Sequence, residues 1–360
     1  MRLTAAALVL FQLMALLSGC LVINPDLTSA IGSALSQAIS EQRRQESSQT
    51  ETGSAAENSD KSGSEQSPEQ SGAPSQSGID PLFWELTSAK HSGKVYLFGS
   101  IHAARDDAYP LPEHILRAFE SAEALAVECD TIAFEDDTDQ QVAALRSIAY
   151  LDGTTIYDHL SEDNYYRAVE LLRNHGLYAE QYNYYKPMLW TSILDSYIVD
   201  QAGLDYERGL DDYLMRRAKQ SGKEIIEIES VEFQYAMIGG FSDRLQELIL
   251  EGYLEDGALD RQVESLRLLY EAWARGDAKE LSGESDDGDI PAEERKYYEE
   301  YNTKMLTERN IRMADAAESY LKRGMTVFLV VGSAHMLDDG GIVRLLRERG
   351  YTVTEHENRY

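Results

Sequence analysis

The chain has 360 residues, with 33 Lys and Arg against 63 Asp and Glu, a formal net charge of −30. Phosphate is held by clustered Lys and Arg, so this balance argues against a nucleic-acid partner and against a polybasic membrane-surface patch. An apolar share of 43% supports a packed core, and two Cys, Cys20 and Cys129, cannot build a disulfide framework or a Cys-rich zinc module.

Residues 5–17 form an apolar run behind Arg2. The run is shorter than the about 20 residues that span a bilayer, and it has the length of a signal-peptide apolar region. It ends in Leu17-Ser18-Gly19-Cys20, the pattern that precedes a lipid-modified cysteine in bacterial lipoproteins. This predicts a lipoprotein signal over residues 1–20, with Cys20 the lipidated first residue of the mature chain. The expected location is the extracytoplasmic face of the cell membrane. An ordinary cleaved signal with a coincidental Cys20 is the alternative. Residues 21–78 read as a tether. From residue 40 onward it is Ser, Gln, Glu and Gly with almost no large apolar side chain, too little to offset ordering entropy. Residues 79–360 remain for one α/β domain.

In that domain, strands are predicted over residues 94–98 and 124–128, flanking a helix that starts near Pro112. A helix over about 209–221 leads into a third strand at 223–228. Residues 326–331 are a continuous run of apolar, mostly β-branched and aromatic side chains, as in a strand buried on both faces. A last helix over about 341–349, closed by Gly350, precedes a strand at 351–354. Strands separated by helices predict an α/β fold, with a largely parallel central β-sheet flanked by helices. Residues 140–322 are mostly helical and form an insertion between the early and late strands. Asp286, Asp287 and Asp289 lack the ligand spacing of a calcium loop and read as a solvated acidic loop.

Two predicted strands end alike, in Gly99-Ser100-Ile101-His102 and in Gly332-Ser333-Ala334-His335, and each is followed by an Asp pair. A strand-end Gly permits a sharp turn, and a His three residues on can point back over the carboxyl edge of the sheet. Open α/β sheets bind ligands at that edge. Residues 124–127 run directly into Glu128, which puts a carboxylate at the end of a further strand. Two imidazoles and one carboxylate are a recurrent divalent-metal set that leaves room for water. A lone motif of this kind reads better as a structural His. The repeat, together with Glu128, favours His102, Glu128 and His335 as ligands of one ion. Strand alternation turns Cys129 away from Glu128, as a buried structural thiol.

At these positions the chain resembles the TraB/GumN family, which includes the Tiki metalloproteases. The shared pattern is the pair Gly99/His102 and Gly332/His335, Glu128, and Arg309-Asn310 ahead of the last buried strand. Further agreement lies in Lys186-Pro187, in Gly209-Leu210-Asp211, and in Ile228-Glu229 with Gln234. The resemblance spans about residues 80–358 and rests on the order and spacing of these motifs together. It implies an α/β fold related to erythromycin-esterase and ChaN-type proteins. For Tiki-like members it implies a metal-dependent protease, with Mn, Co or Zn as the divalent ion.

Arg309 has two readings. It holds a substrate carboxylate or an oxyanion, or it is a buried partner for Glu229 or Glu128. Glu229 follows the third predicted strand and is a candidate general base or fourth ligand. The combined expectation is metal-assisted hydrolysis of a peptide or other acyl compound by a lipid-anchored protein. In it His102, Glu128 and His335 hold the ion, Glu229 acts as base and Arg309 faces the oxyanion. Two rival classes are a non-catalytic protein that binds or sequesters a peptide signal, and a haem or iron carrier of the ChaN type. No Cys-x-x-Cys-His site is present, which excludes covalent haem alone.

Overall fold

Burial on both faces selects the centre of the sheet. The computed structural model describes residues 78–282 and 291–356. Among them the strands are β1 (Phe83–Thr87), β2 (Lys94–Ser100), β3 (Ala124–Val127), β4 (Glu224–Glu227), β5 (Thr326–Gly332) and β6 (Thr352–Glu355). They form one sheet in the order β4-β3-β5-β2-β1-β6. β5 is buried from Val327 to Gly332 and β3 along its whole length, and both lie inside the sheet. The rims are β4 and β6, whose Glu224, Glu227, Thr352, Thr354 and Glu355 face water. Polar side chains on a rim blunt its tendency to pair with another chain.

β2, β3, β4 and β5 run parallel, and β1 is antiparallel to both β2 and β6. The largely parallel α/β architecture read from the sequence is the one observed. β1 is the strand that the reading omits. It is five residues long and its extended form is stabilised by pairing with β2 and β6, information that no local window carries. β2 and β5 run on through Ser100 and Gly332, whereas β3 stops at Val127, so Glu128 stands one residue past its strand.

The first crossover is helix α1 (Glu113–Ser121), which buries Ile115, Ala118 and Phe119, a spacing that keeps them on one helical face. Phe119 meets Phe328 of β5 with ring centroids 5.7 Å apart, and Phe98 and Phe83 pack around the same ring at 5.9 and 6.0 Å. The connections from β3 to β4 and from β4 to β5 are helical, as expected of the insertion. The helices used below are α2 (Pro187–Ala202), α3 (Leu210–Ser221), α4 (Val231–Gly239), α5 (Asp243–Leu254), α6 (Ala258–Ala274), α7 (Glu308–Lys322), α8 (Ser333–Met336) and α9 (Ile342–Glu348). α2 is buried around most of its circumference and packs on α5 and α6. Lys186 precedes it, with Pro187 as its first residue. The Lys186 ammonium donates to the Gly239 and Ser147 carbonyls, and so ties down the carboxyl ends of α4 and of the helix Thr138–Ser147.

No helix of the described residues is long and apolar enough to cross a membrane. The signal segment with Cys20, the tether up to residue 77 and the acidic loop at 284–289 lie outside the described residues.

Candidate functional site

Four neighbouring parallel strands, in the order β4, β3, β5, β2, end on the same edge of the sheet. Glu229, Glu128, His335 and His102 follow those four strands in that order, so residues far apart in sequence meet along one line. The two Gly-Ser-x-His arms touch. Ser100 and Gly332 are register partners, and the Ser333 hydroxyl donates to the Ser100 carbonyl at 2.9 Å. A Cβ on Gly99 would lie 2.9 Å from Ser333 Oγ and 3.2 Å from its Cα, so any side chain there would push the second arm back from the first.

Each imidazole turns its Nδ1 toward a side-chain oxygen. His102 Nδ1 lies 2.9 Å from Asp211 Oδ2, and the other Asp211 oxygen accepts from the Ser100 hydroxyl at 2.8 Å. Asp211 stands in the first turn of α3, which is fastened to the first arm. Leu210 N–H donates to the Ile101 carbonyl at 3.1 Å, and any Cβ on Gly209 would collide with the His102 carbonyl. His335 has 0% exposure, and its Nδ1 is 2.6 Å from Asn310 Oδ1. The Asn310 amide donates to the Gly340 carbonyl at 2.9 Å, which turns its oxygen toward the imidazole. Nδ1 is therefore the protonated nitrogen and Nε2 carries the lone pair. Among the described residues His335 Nε2 has no hydrogen-bond partner, and it lies 3.9 Å from Glu128 Oε1. Burial, reinforced by the Arg309 charge, holds His335 down at about 3, so it stays neutral near pH 7.

The carboxylates are joined by arginine. Glu128 Oε1 accepts from the Gly332 N–H at 2.7 Å, and Oε2 accepts from Arg309 Nη2 and, at 3.3 Å, from Gln234. Arg309 Nε donates to Glu229 Oε2 at 2.9 Å, and Nη1 donates to the Met305 carbonyl at 3.3 Å. That carbonyl belongs to a π-turn, Thr303–Thr307, directly ahead of α7, and such wide turns are frequent at functional sites. Glu229 also accepts from Arg312 Nη1 at 2.9 Å and from Gln234 at 3.2 Å. Burial alone would raise the Glu128 carboxyl, but the Arg309 charge and the Gly332 N–H outweigh it and hold it at about 2. Burial, with Glu128 nearby, pushes the Glu229 carboxyl above its usual range against the pull of Arg309. Of the two readings of Arg309, the buried partner is the one the contacts describe, and it pairs with both acids.

Residues 82–355, from the approach to β1 through the end of β6, match the TraB/PrgY/gumN family. The chain belongs to this family. Among its TraB/PrgY/gumN relatives is the uncharacterized protein YbaP of Shigella flexneri, 26% identical over 264 residues, or 73% of this chain and 90% of that one. YbaP of Escherichia coli K12 is also 26% identical, over 254 residues covering 70% and 87% of the two chains. The metalloprotease TIKI2 of Danio rerio is 25% identical over 331 residues, 78% of this chain and 62% of that protein. No solved structure matches.

A metalloprotease relative raises the question of whether this member's residues suit a metal ion. Among the described residues no group of three or more His, Cys, Asp and Glu is set out to hold one, and Glu128 is turned toward Gly332, Arg309 and Gln234. The donor chemistry does fit. Among the described residues a buried, neutral His335 presents an Nε2 with no hydrogen-bond partner beside an ionised carboxylate, its Nδ1 is held by Asn310 as in ligating histidines, and the Nδ1 of His102 faces the Asp211 carboxylate.

The sequence reading assigned no role to Ser100, Asp211, Asn310, Gln234 or Arg312. Asp211, Asn310 and Gln234 sit inside the motifs that carry the family resemblance, which is the signal that could have found them. Arg312 follows Arg309 by three positions on α7, a spacing that shares a helix face. Ser100 occupies the Ser position shared by the two Gly-Ser-x-His phrases, and that repeat is its signal. Cys129 is a buried thiol, as expected.

Proposed function

We propose that this TraB/PrgY/gumN protein is a metal-dependent hydrolase of peptides. The observation that carries the reading is the His335 Nε2 with no hydrogen-bond partner, buried 3.9 Å from the Glu128 carboxylate. The metalloprotease relative supports it. His102, Glu128 and His335 would hold a divalent ion such as Mn, Co or Zn, which when bound acidifies a water molecule and polarises a carbonyl. The protein's own groups do the rest. Asp211 and Asn310 orient the imidazoles, and Arg309 keeps Glu128 ionised. Glu229, beside Glu128 at the same sheet edge, is the proposed general base, and it would reach the attacking water only as one of its donors, Arg309, Arg312 or Gln234, gives way. All three Arg309 nitrogens are engaged, so we assign it the holding of both carboxylates rather than an oxyanion contact.

Elemental analysis of the purified chain after loading with Mn, Co or Zn should find bound metal. His335→Ala should lose most of it, together with metal-dependent cleavage of a peptide library. Metal retained in His335→Ala would refute the shared site, and metal bound without cleavage would leave a binder in place of an enzyme.

The same proposal places the protein on the extracytoplasmic face of the membrane through lipid on Cys20, supported by Leu17-Ser18-Gly19-Cys20 behind a short apolar run. Cys20→Ser should move the protein from the membrane to the soluble fraction. Unchanged membrane association would mean that Cys20 is not the anchor.

A further inference from the structure

Glu128, Arg309, Glu229 and Arg312 form one chain of alternating charge that runs from the interior to the surface. Side-chain exposure along it is 4%, 2%, 0% and 41%, so only Arg312 faces water. Its guanidinium lies over the half-buried ring of Phe233 from α4, with Cζ 4.4 Å from the ring centroid. Stacking on an aromatic face fixes a planar cation while its edge stays open to hydrogen bonding. Nη1 donates to Glu229 at 2.9 Å, and among the described residues the other nitrogens of Arg312 have no protein acceptor.

Neutralising Glu229 does not require this second cation. Arg309 Nε already reaches both Glu229 oxygens, at 2.9 and 3.2 Å, and Gln234 reaches one of them. Arg312 is therefore a pre-oriented guanidinium with donors to spare, at the exposed end of an otherwise buried site. In a chain of net charge −30 it is a local positive point where an anionic group would otherwise be repelled. Its planar fork matches a carboxylate.

We propose that Arg312, seated on Phe233, determines specificity by taking a carboxylate of the peptide at the exposed end of the site. The identity of the ligand as a peptide rests on the hydrolase reading. The test reads binding without added metal, so the two can fail separately.

The full-length protein, immobilised in detergent, is offered two acetylated random hexapeptide libraries, one with free and one with amidated carboxyl termini. Retained peptides are quantified by mass spectrometry. Wild type should retain the free-carboxylate library about tenfold better, the scale of one charge-assisted hydrogen-bond pair. Arg312→Gln should abolish the preference, and Arg312→Lys should restore part of it, with unchanged melting temperature in both. If the carboxylate is instead an Asp or Glu side chain, both libraries bind alike, with Asp and Glu enriched in wild type and not in Arg312→Gln. Equal retention without that enrichment, a preference that survives Arg312→Gln, or no retention of either library by wild type each overturns the proposal.

Discussion

Arg309→Met is expected to destabilise the folded chain by about 3–5 kcal/mol near pH 7, because it leaves two carboxylates buried without their shared cation. Glu128 and Glu229 face Arg309 from the ends of adjacent strands, and both side chains are almost fully buried. In the variant the Glu128 carboxyl moves above its unfolded value and that of Glu229, already raised, rises further although Arg312 still pairs with it, so folding takes up protons and stability falls as pH rises through the carboxyl range. In the wild type Glu128 behaves oppositely. Held at about 2, it contributes stability that is complete above the ordinary carboxylate range and is lost as pH falls toward that value. Denaturant midpoints of the two proteins should therefore converge on acidification. A variant within about 1 kcal/mol of wild type at pH 7 would show that the pairing is dispensable, well below what breaking a buried ion pair costs.

Asp195→Asn should act in the other direction. Asp195 lies in the middle of α2 at 1% exposure. One of its oxygens accepts from the Tyr253 hydroxyl of α5 at 2.5 Å, and the other has no hydrogen-bond partner among the described residues. Burial pushes the carboxyl up to about 7. The unfolded value is near 3.9, so the penalty begins as pH rises past that value and is complete above about 7. The shift corresponds to roughly 4 kcal/mol of stability lost between those limits. A neutral amide removes that dependence, although its unpaired N–H groups return about 1–3 kcal/mol of desolvation cost. The variant should melt above wild type at pH 8 and at or below it at pH 4. Parallel melting curves against pH would show that Asp195 is not the group responsible.

What the sequence discloses about this fold is what is local. The β5 run declares itself because a strand buried on both faces must be apolar at every position, and β1 does not because Trp84 and Leu86 become strand residues only between β2 and β6. The placement of His102, Glu128 and His335 at strand ends is legible for the same reason, since each follows its strand by one to three residues. Their partners are legible only in part: Arg309 reads as a buried partner for Glu229 or Glu128 or as a substrate contact, and nothing local decides between the two, while Asp211 and Asn310 receive no role. Arg309 meets Glu229 across 80 positions and Glu128 across 181, through the path of α7 over the sheet edge. Asp211 reaches His102 only because Gly209 lets α3 rest against the first arm. Helical periodicity specifies which face of α7 is buried, but not which carboxylate lies beneath it.

The position of β5 bears on when the candidate site comes into being. β2 and β3 are joined by a single short crossover, yet they are not neighbours, because β5 lies between them. A growing polypeptide holding the first four strands has the segments that carry His102, Glu128 and Glu229, but no central strand to bring the first two into line. Only the stretch from Thr326 to Gly332 closes that gap, and it delivers His335 in the same step. Pairing across such separations places sheet closure late in folding. Nascent chains stalled before residue 326 should therefore lack the assembled site altogether, which couples its formation to completion of the fold.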